Sequence, residues 1–327
     1  MLDRLDPTDR RLLDEFQRDL PLRRRPFAAI GAALGIAEAE VIARLEHLTA
    51  RAMIARVGAT VRPNTAGAST LAAIAVPEAR IETVAAIVGA EPGVNHSYLR
   101  EDDWNLWFVA TAPDPGALAA TLARIGAATG LAVLDLRLVR PFNIDLGFRL
   151  GAGRQAMASP GAARLSALRE ADRPILQALT SGLALVPRPF AALAAALGRS
   201  EAAVIARIGA LARAGILTRV GVIVRHRAIG WAANAMVVWD LPEAAIPAAG
   251  RALAAHPGVT LCYQRRTVAG VWDYPLYSMI HARSRAEALG VLAGATALPA
   301  LAGARHRALF SARCFKQTGA LLKAEAA

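Results

Sequence analysis

Lysine is almost absent from this chain: of the 38 basic residues among 327, only Lys316 and Lys323 are not arginine. Arginine brings a planar fork that meets a carboxylate or phosphate with two hydrogen bonds, where lysine offers a flexible point charge. Acidic residues are also short, 26 against those 38, leaving a formal charge of +12. The implied partner is anionic, either a nucleic acid or a polycarboxylate. Cysteine is limited to Cys262 and Cys314, which excludes a disulfide framework and a zinc ligand set and fits a reducing, cytoplasmic setting. The longest uncharged run, Ala288–Ala304, has 17 residues and is broken by Pro299. A membrane span needs about 20 mainly apolar residues, so no membrane span is expected, and the polar start Met1–Pro7 does not read as a signal peptide. Glycine-rich phosphate loops, a nucleophile elbow and His/Cys metal clusters are missing as well. What remains is 55% hydrophobic and 20% charged, a composition that buries a core and excludes disorder as the main state.

The chain repeats itself. Arg25–Arg62 and Arg188–Arg225 align without a gap, and 21 of 38 positions are identical. Upstream, Asp9 matches Asp172 and Leu13 matches Leu176. Each half opens with helical periodicity. Leu5, Leu12, Leu13 and Phe16 mark one helix, Phe27, Ile30 and Leu34 a second that stops at Gly35, and Val41, Ile42, Leu45 and Leu48 a third opened by Glu38. Ile54–Gly58 and Ala59–Arg62 then read as a short β-hairpin, completing a winged helix-turn-helix.

Beyond the hairpin the period changes. Strands are expected at 69–76, 93–100, 104–111 and 131–139, with helices at 78–90 and 115–129. The second half repeats the order at 233–241, 243–256, 258–266, 274–282, 284–295 and 306–315. This is the βαββαβ order of a ferredoxin-like sandwich. The fold class is therefore α+β, a tandem repeat of winged helix-turn-helix plus ferredoxin-like domain. The expected divisions are 1–63 and 64–149, a Gly/Ala/Ser/Pro linker at 150–166, then 167–228 and 229–327. The sheets of the two halves are expected to pack together within one chain, as a pseudo-dimer, with homodimerisation left open.

This architecture resembles the Lrp/AsnC family of transcriptional regulators, which implies DNA binding and makes a heme- or ligand-responsive regulator the alternative function. The helices that would read DNA disfavour it. Glu38–His47 carries one arginine and three glutamates, and Glu201–Ala210 carries one arginine. Base and phosphate contacts need exposed Arg, Lys, Asn, Gln or Ser. The stretches Pro92–Phe108 (with HSYLR and WNLWF), Pro257–Arg266, Val271–His281 and Ala233–Trp239 (ANAMVVW) resemble the siroheme decarboxylases, relatives of the Lrp/AsnC proteins. The resemblance covers roughly 5–148 and 168–320 and is to a fused two-subunit enzyme. It implies loss of CO2 from two acetate side chains of siroheme, giving 12,18-didecarboxysiroheme in d1-type heme biosynthesis. Siroheme is then substrate, no cofactor is required, and other tetrapyrrole-pathway enzymes are candidate partners.

Residues i, i+2 and i+4 of a strand share a face, so His96, Tyr98 and Arg100 point together. Tyr263 and Arg265 occupy the same places in the second half, where Leu261 replaces the histidine. Siroheme carries several carboxylates, and a buried carboxylate needs a cationic partner. Arg100, Arg265 and Arg266 are the candidate clamps. Decarboxylation leaves a carbanion-like centre to protonate, so His96 is the candidate general acid, or an axial ligand to the substrate iron; no protein metal site is expected. Tyr98 is placed beside it in catalysis, Tyr263 with the substrate. Trp104, Trp107, Trp272 and Tyr274 are candidates to stack on or edge the macrocycle, and Asn105 to donate to it. Arg225 and His226, after the second hairpin, join the binding set. The family pattern there has two adjacent histidines; here Arg227 stands in the second place. His281, following Met279, reads as a structural strand-end residue.

Overall fold

The computed structural model describes residues 5–144 and 162–322. The first half contains α1 (Pro7–Glu15), α2 (Pro26–Leu34), α3 (Glu38–Ala50), β1 (Ile54–Val61), β2 (Ala68–Ile74), α4 (Ile81–Ala90), β3 (Val94–Arg100), β4 (Leu106–Ala112), α5 (Pro115–Thr129) and β5 (Val133–Asn143). The second repeats the order as α6 (Arg173–Ser181), α7 (Pro189–Ala196), α8 (Glu201–Arg213), β6 (Leu217–Val224), β7 (Ala233–Asp240), α9 (Ile246–Ala255), β8 (Val259–Arg265), β9 (Leu276–Ala282), α10 (Arg285–Thr296) and β10 (Arg305–Gln317). The expected tandem α+β order is present. Of the expected linker 150–166, residues 150–161 lie outside the described residues.

The hairpin expected at 54–62 is not there. β1 is one continuous strand, paired antiparallel with β6 of the other half, with Gly58 opposite Gly221. These glycines serve close approach, not a turn. A Cβ on Gly58 would lie 2.3 Å from the Leu179 carbonyl oxygen at the end of α6, and one on Gly221 would lie 2.4 Å from that of Phe16, which follows α1. Each half's first helix thus lies against the other half's strand. In consequence the two helix-turn-helix units share one core, in which Leu12, Phe27 and Leu45 join Leu176, Phe190 and Ile208.

The repeated Asp–Arg matches are ion pairs inside these units. Arg44 of α3 reaches Asp6 at 2.8 Å, Asp9 at 2.9 Å and Glu40 at 2.8 Å, and Arg207 of α8 holds the buried Asp172 at 2.6 Å. At the N-termini of α3 and α8, Glu38 binds Arg25 and Glu201 binds Arg188.

The remaining strands close an eight-stranded antiparallel barrel in the order β10-β3-β4-β2-β5-β8-β9-β7. Each half supplies four neighbours, and β5·β8 and β10·β3 join the halves. β5 and β10 run beyond their expected ends because they pair first within their own half and then with the other. α4 and α5 cover one half's outer face, and α9 and α10 the other's. Phe142, at the far end of β5, packs under α9 of the second half, its ring 2.3 Å from where a Cβ on Gly250 would lie. The lumen is filled by residues of alternating register from both halves, among them Leu71, Trp107, Leu136, Met236, Val238, Tyr277 and Met279. No single helix among the described residues is long and apolar enough to cross a membrane.

Candidate functional site

Where the lumen faces the helix-turn-helix core there is a cavity of about 330 Å³, walled by both halves. Val61 and Arg62 at the end of β1, β3, β4 and the start of β2 form the first half's wall. Asn234, Met236, Leu261, Tyr263, Arg265, Met279 and His281 form the second's.

β3 and β8 place the central residues. Each carries a one-residue bulge, at Asn95 and at Thr260, after which alternation aims His96, Tyr98 and Arg100, or Leu261, Tyr263 and Arg265, into the cavity. The two arginines are anchored alike. Arg100 Nη1 donates to the Leu309 carbonyl at 3.0 Å, and Arg265 Nη1 to the Leu136 carbonyl at 2.8 Å. Arg100 lies 5.6 Å from the Tyr98 ring and Arg265 4.6 Å from the Tyr263 ring. Neither forms an ion pair with a carboxylate of the described residues, and the Nε of each is buried without a hydrogen-bond partner. Burial pulls Arg100 down to about 10, which still leaves a cation at neutral pH. A buried charge without a counterion costs several kcal/mol, so the cavity is built to receive an anion.

His96 rests in the neutral form. Burial, and then the charge of Arg56 on β1, lowers it to about 4, so the resting imidazole is neutral. Its Nδ1 lies 2.7 Å from Asn95 Oδ1, and the Asn95 amide nitrogen faces Thr111 Oγ1 at 3.4 Å. Nδ1 therefore carries the proton and donates, leaving Nε2 with a lone pair. A neutral imidazole of this tautomer accepts a proton or ligates a metal; it is not a resting acid. Tyr98 is held protonated, above its ordinary range, by burial first and by the neighbouring Cys314.

Of the eleven site residues read from the sequence, the cavity gathers His96, Tyr98, Arg100, Tyr263 and Arg265. The others lie elsewhere. Asn105 is a structural clamp away from the cavity wall: its Oδ1 accepts from Val76 N at 2.9 Å and its Nδ2 donates to Val76 O at 2.8 Å. Trp104 stands in the turn before β4, its backbone N donating to Asp102 Oδ1 and its carbonyl accepting from Trp107 Nε1. Trp107 is the tryptophan on the cavity wall. Trp272 is buried edge-on against Trp107 at 5.1 Å and donates to Tyr277 Oη at 2.7 Å, and Tyr274 packs on Trp272. Arg225 and His226 follow β6, outside the cavity wall; His226 lies behind His281, ring centres 6.3 Å apart, and is lowered by burial and by the charges of His281 and Arg219. Arg266 lines an adjoining groove with Arg137, Asp135 and Asn64.

Sequence reasoning missed Asn234 and His281 as cavity residues. The signal was available: Asn234 alternates with Met236 and Val238, and His281 with Tyr277 and Met279, all of them lumen residues. Only the cross-strand register, Asn234 opposite His281, brings the two together.

Comparison with known proteins follows this division. Residues 66–142 and 228–316 match the AsnC-like ligand binding domain, and residues 9–54 and 172–217 match the siroheme decarboxylase NirDL-like HTH domain. The chain is 68% identical over 323 residues to the siroheme decarboxylase NirDL subunit of Paracoccus denitrificans (strain Pd 1222), covering 99% of each. It is 50% identical over 147 residues to the siroheme decarboxylase NirD subunit of Stutzerimonas stutzeri, which spans 45% of this chain and 97% of that one. A crystal structure of the siroheme decarboxylase NirDL in co-complex with an iron-uroporphyrin III analogue superposes with a TM-score of 0.67 at 28% identity, covering 96% of this chain and 92% of that one.

Proposed function

The chain belongs to the siroheme decarboxylase family, and from that premise we propose that it acts as a carboxy-lyase on siroheme in the barrel cavity, without an added cofactor. Two acetate side chains each lose CO2 and become methyl groups, giving 12,18-didecarboxysiroheme. The observation that carries this reading is the pair of arginines, Arg100 buried and Arg265 half-buried with its Nε enclosed, facing one apolar cavity without a carboxylate partner among the described residues. A polycarboxylate macrocycle supplies the missing counterions.

Each step has a residue suited to it. Arg100 and Arg265 bind carboxylates, and Tyr98 and Tyr263 add hydroxyl donors beside them. Loss of CO2 leaves an electron pair on the side-chain carbon, delocalised into the ring system, and one proton must arrive there. Carboxylates entering the cavity favour the charged imidazole, so His96 takes up a proton as substrate binds and delivers it from Nε2. The same lone pair suits ligation of the substrate iron. The absorption spectrum of siroheme bound to His96→Gln separates the two: a shift from the wild-type spectrum marks ligation, and an unshifted spectrum with lost turnover marks proton delivery.

Regulation of transcription has less support. Arg44 of α3 and Arg207 of α8 are engaged in ion pairs within their own units, which leaves them poorly placed for phosphate contact. The direct test is anaerobic incubation of the purified protein with siroheme. We expect the product mass to fall by one CO2 per acetate; an unchanged mass would sink the proposal.

A further inference from the structure

Arg100 and Arg265 share their backbone anchors but not their side-chain surroundings. Arg100 Nη1 also donates to Asn234 Oδ1 at 3.4 Å. Asn234 Nδ2 donates in turn to His281 Nε2 at 2.8 Å. His281 Nδ1 lies 2.7 Å from Thr260 Oγ1, whose own proton goes to the Met279 carbonyl at 2.9 Å. One hydroxyl has one proton to give. Thr260 therefore accepts from His281, which fixes the Nδ1–H tautomer and leaves Nε2 as an acceptor. That acceptor orients the Asn234 amide, nitrogen toward the imidazole and oxygen toward Arg100. A flipped amide would set its NH2 group against the guanidinium and its oxygen against the His281 Nε2 lone pair.

The first half has no such chain. The strand registers place Ser69 where the second half has Asn234, and Thr111 where it has His281. Ser69 Oγ turns to Asn64 Oδ1 at 3.0 Å. Arg265 is thus held by a backbone carbonyl and the Tyr263 and Tyr277 rings, and Arg100 by a backbone carbonyl, the Tyr98 ring and an oriented amide.

We propose that His281 is a positioning residue which, through Asn234, aims the Arg100 guanidinium at the substrate carboxylate that lies beside His96. The inference rests on siroheme being the ligand of the cavity. It gives the ANAMVVW stretch a role, and it makes the second half responsible for the geometry of an arginine belonging to the first.

The test pairs siroheme binding, followed by absorbance, with turnover. In His281→Leu the acceptor is lost, the amide is no longer oriented, and Kd and KM should rise about tenfold, the scale of one hydrogen bond to a charged group. Because the lost contact holds substrate and transition state alike, kcat should change little. His281→Gln keeps an acceptor for Asn234 and a donor for Thr260, and should restore Kd. Asn234→Ser, which copies the first half, should weaken binding as His281→Leu does and covers the case in which that variant folds poorly. In an Arg100→Gln background neither change should weaken binding further. Unchanged Kd in both His281→Leu and Asn234→Ser would overturn the proposal, as would additive losses with Arg100→Gln. So would a His281→Gln variant that loses kcat, since that marks direct proton transfer. Wild-type protein that binds siroheme without turnover would count against decarboxylation alone, because the Kd series still reads the Arg100 geometry.

Discussion

Tyr98 and Arg100 on β3 have counterparts in Tyr263 and Arg265 on β8, and each arginine donates to the matching carbonyl on the other half's last strand. Around this common frame the halves differ at four matched places. His96 corresponds to Leu261, Asn95 to Thr260, Ser69 to Asn234 and Thr111 to His281. The shared residues hold charge and close the barrel. The divergent ones carry the imidazoles, the Asn95 amide and Thr260 hydroxyl that set their tautomers, and the Asn234 amide that His281 orients. In a fused chain both halves are present once and in fixed relation, so each is free to specialise. In the proposed reaction one half presents the reactive imidazole and the other orients an arginine.

The largest effect should come from His96, whose counterpart is an aliphatic side chain. Replacing it with leucine removes proton delivery, typically worth about 10²–10⁴ in rate. We expect turnover of siroheme to fall by at least about 100-fold with the circular dichroism spectrum retained; undiminished turnover would remove His96 from catalysis. Next come the arginines. Arg100→Leu and Arg265→Leu should each weaken siroheme binding by roughly 10- to 100-fold, the scale of a charged hydrogen bond, and Arg100→Leu should cost more. Equal losses, measured by absorbance titration, would erase the distinction drawn from Asn234.

Symmetric structural positions should respond symmetrically. A methyl group on Gly58 or Gly221 meets a carbonyl oxygen at 2.3 or 2.4 Å, so Gly58→Ala and Gly221→Ala should each cost about 1–3 kcal/mol in thermal or urea unfolding. A loss in only one of them would mean that the β1·β6 pairing is less symmetric than its register. The smallest expected effect is on pH dependence. His96 binds its proton near pH 4 when folded, against an ordinary 6.5, so the unfolded chain protonates first as the pH falls. Its contribution is full above about pH 6.5 and is lost progressively down to about pH 4. His96→Gln should therefore show a shallower fall in stability across that window; an unchanged slope would place the imidazole in a more polar setting.

Much of this was legible in the chain. The 163-residue offset, visible from Arg25 and Arg188, shows the duplication, and the period change after residue 68 shows the two kinds of unit. Alternation from His96 correctly shared out His96, Tyr98 and Arg100, because the bulge at Asn95 precedes them. What failed were features set by pairing between the halves. Gly58 looks like a turn because a glycine between short apolar runs gives no hint that a carbonyl of the other half lies against it. The ends of β5 and β10 were underestimated for the same reason. Trp104 and Asn105 were assigned to a strand face, whereas β4 starts at Leu106 and both belong to the preceding turn. His281 was set aside because its partners, Asn234 and Thr260, are distant in sequence and meet only across the sheet.

The division of labour is tested most directly by exchanging the two residues that differ at its centre. In the double variant His96→Leu/Leu261→His the imidazole moves to the second half, where Thr260 stands in place of Asn95 and Arg265 lacks an oriented amide. Siroheme turnover, followed anaerobically by product mass, should stay at the level of His96→Leu alone. Recovery to the wild-type rate would contradict the account, since it would show that the two walls of the cavity are chemically interchangeable.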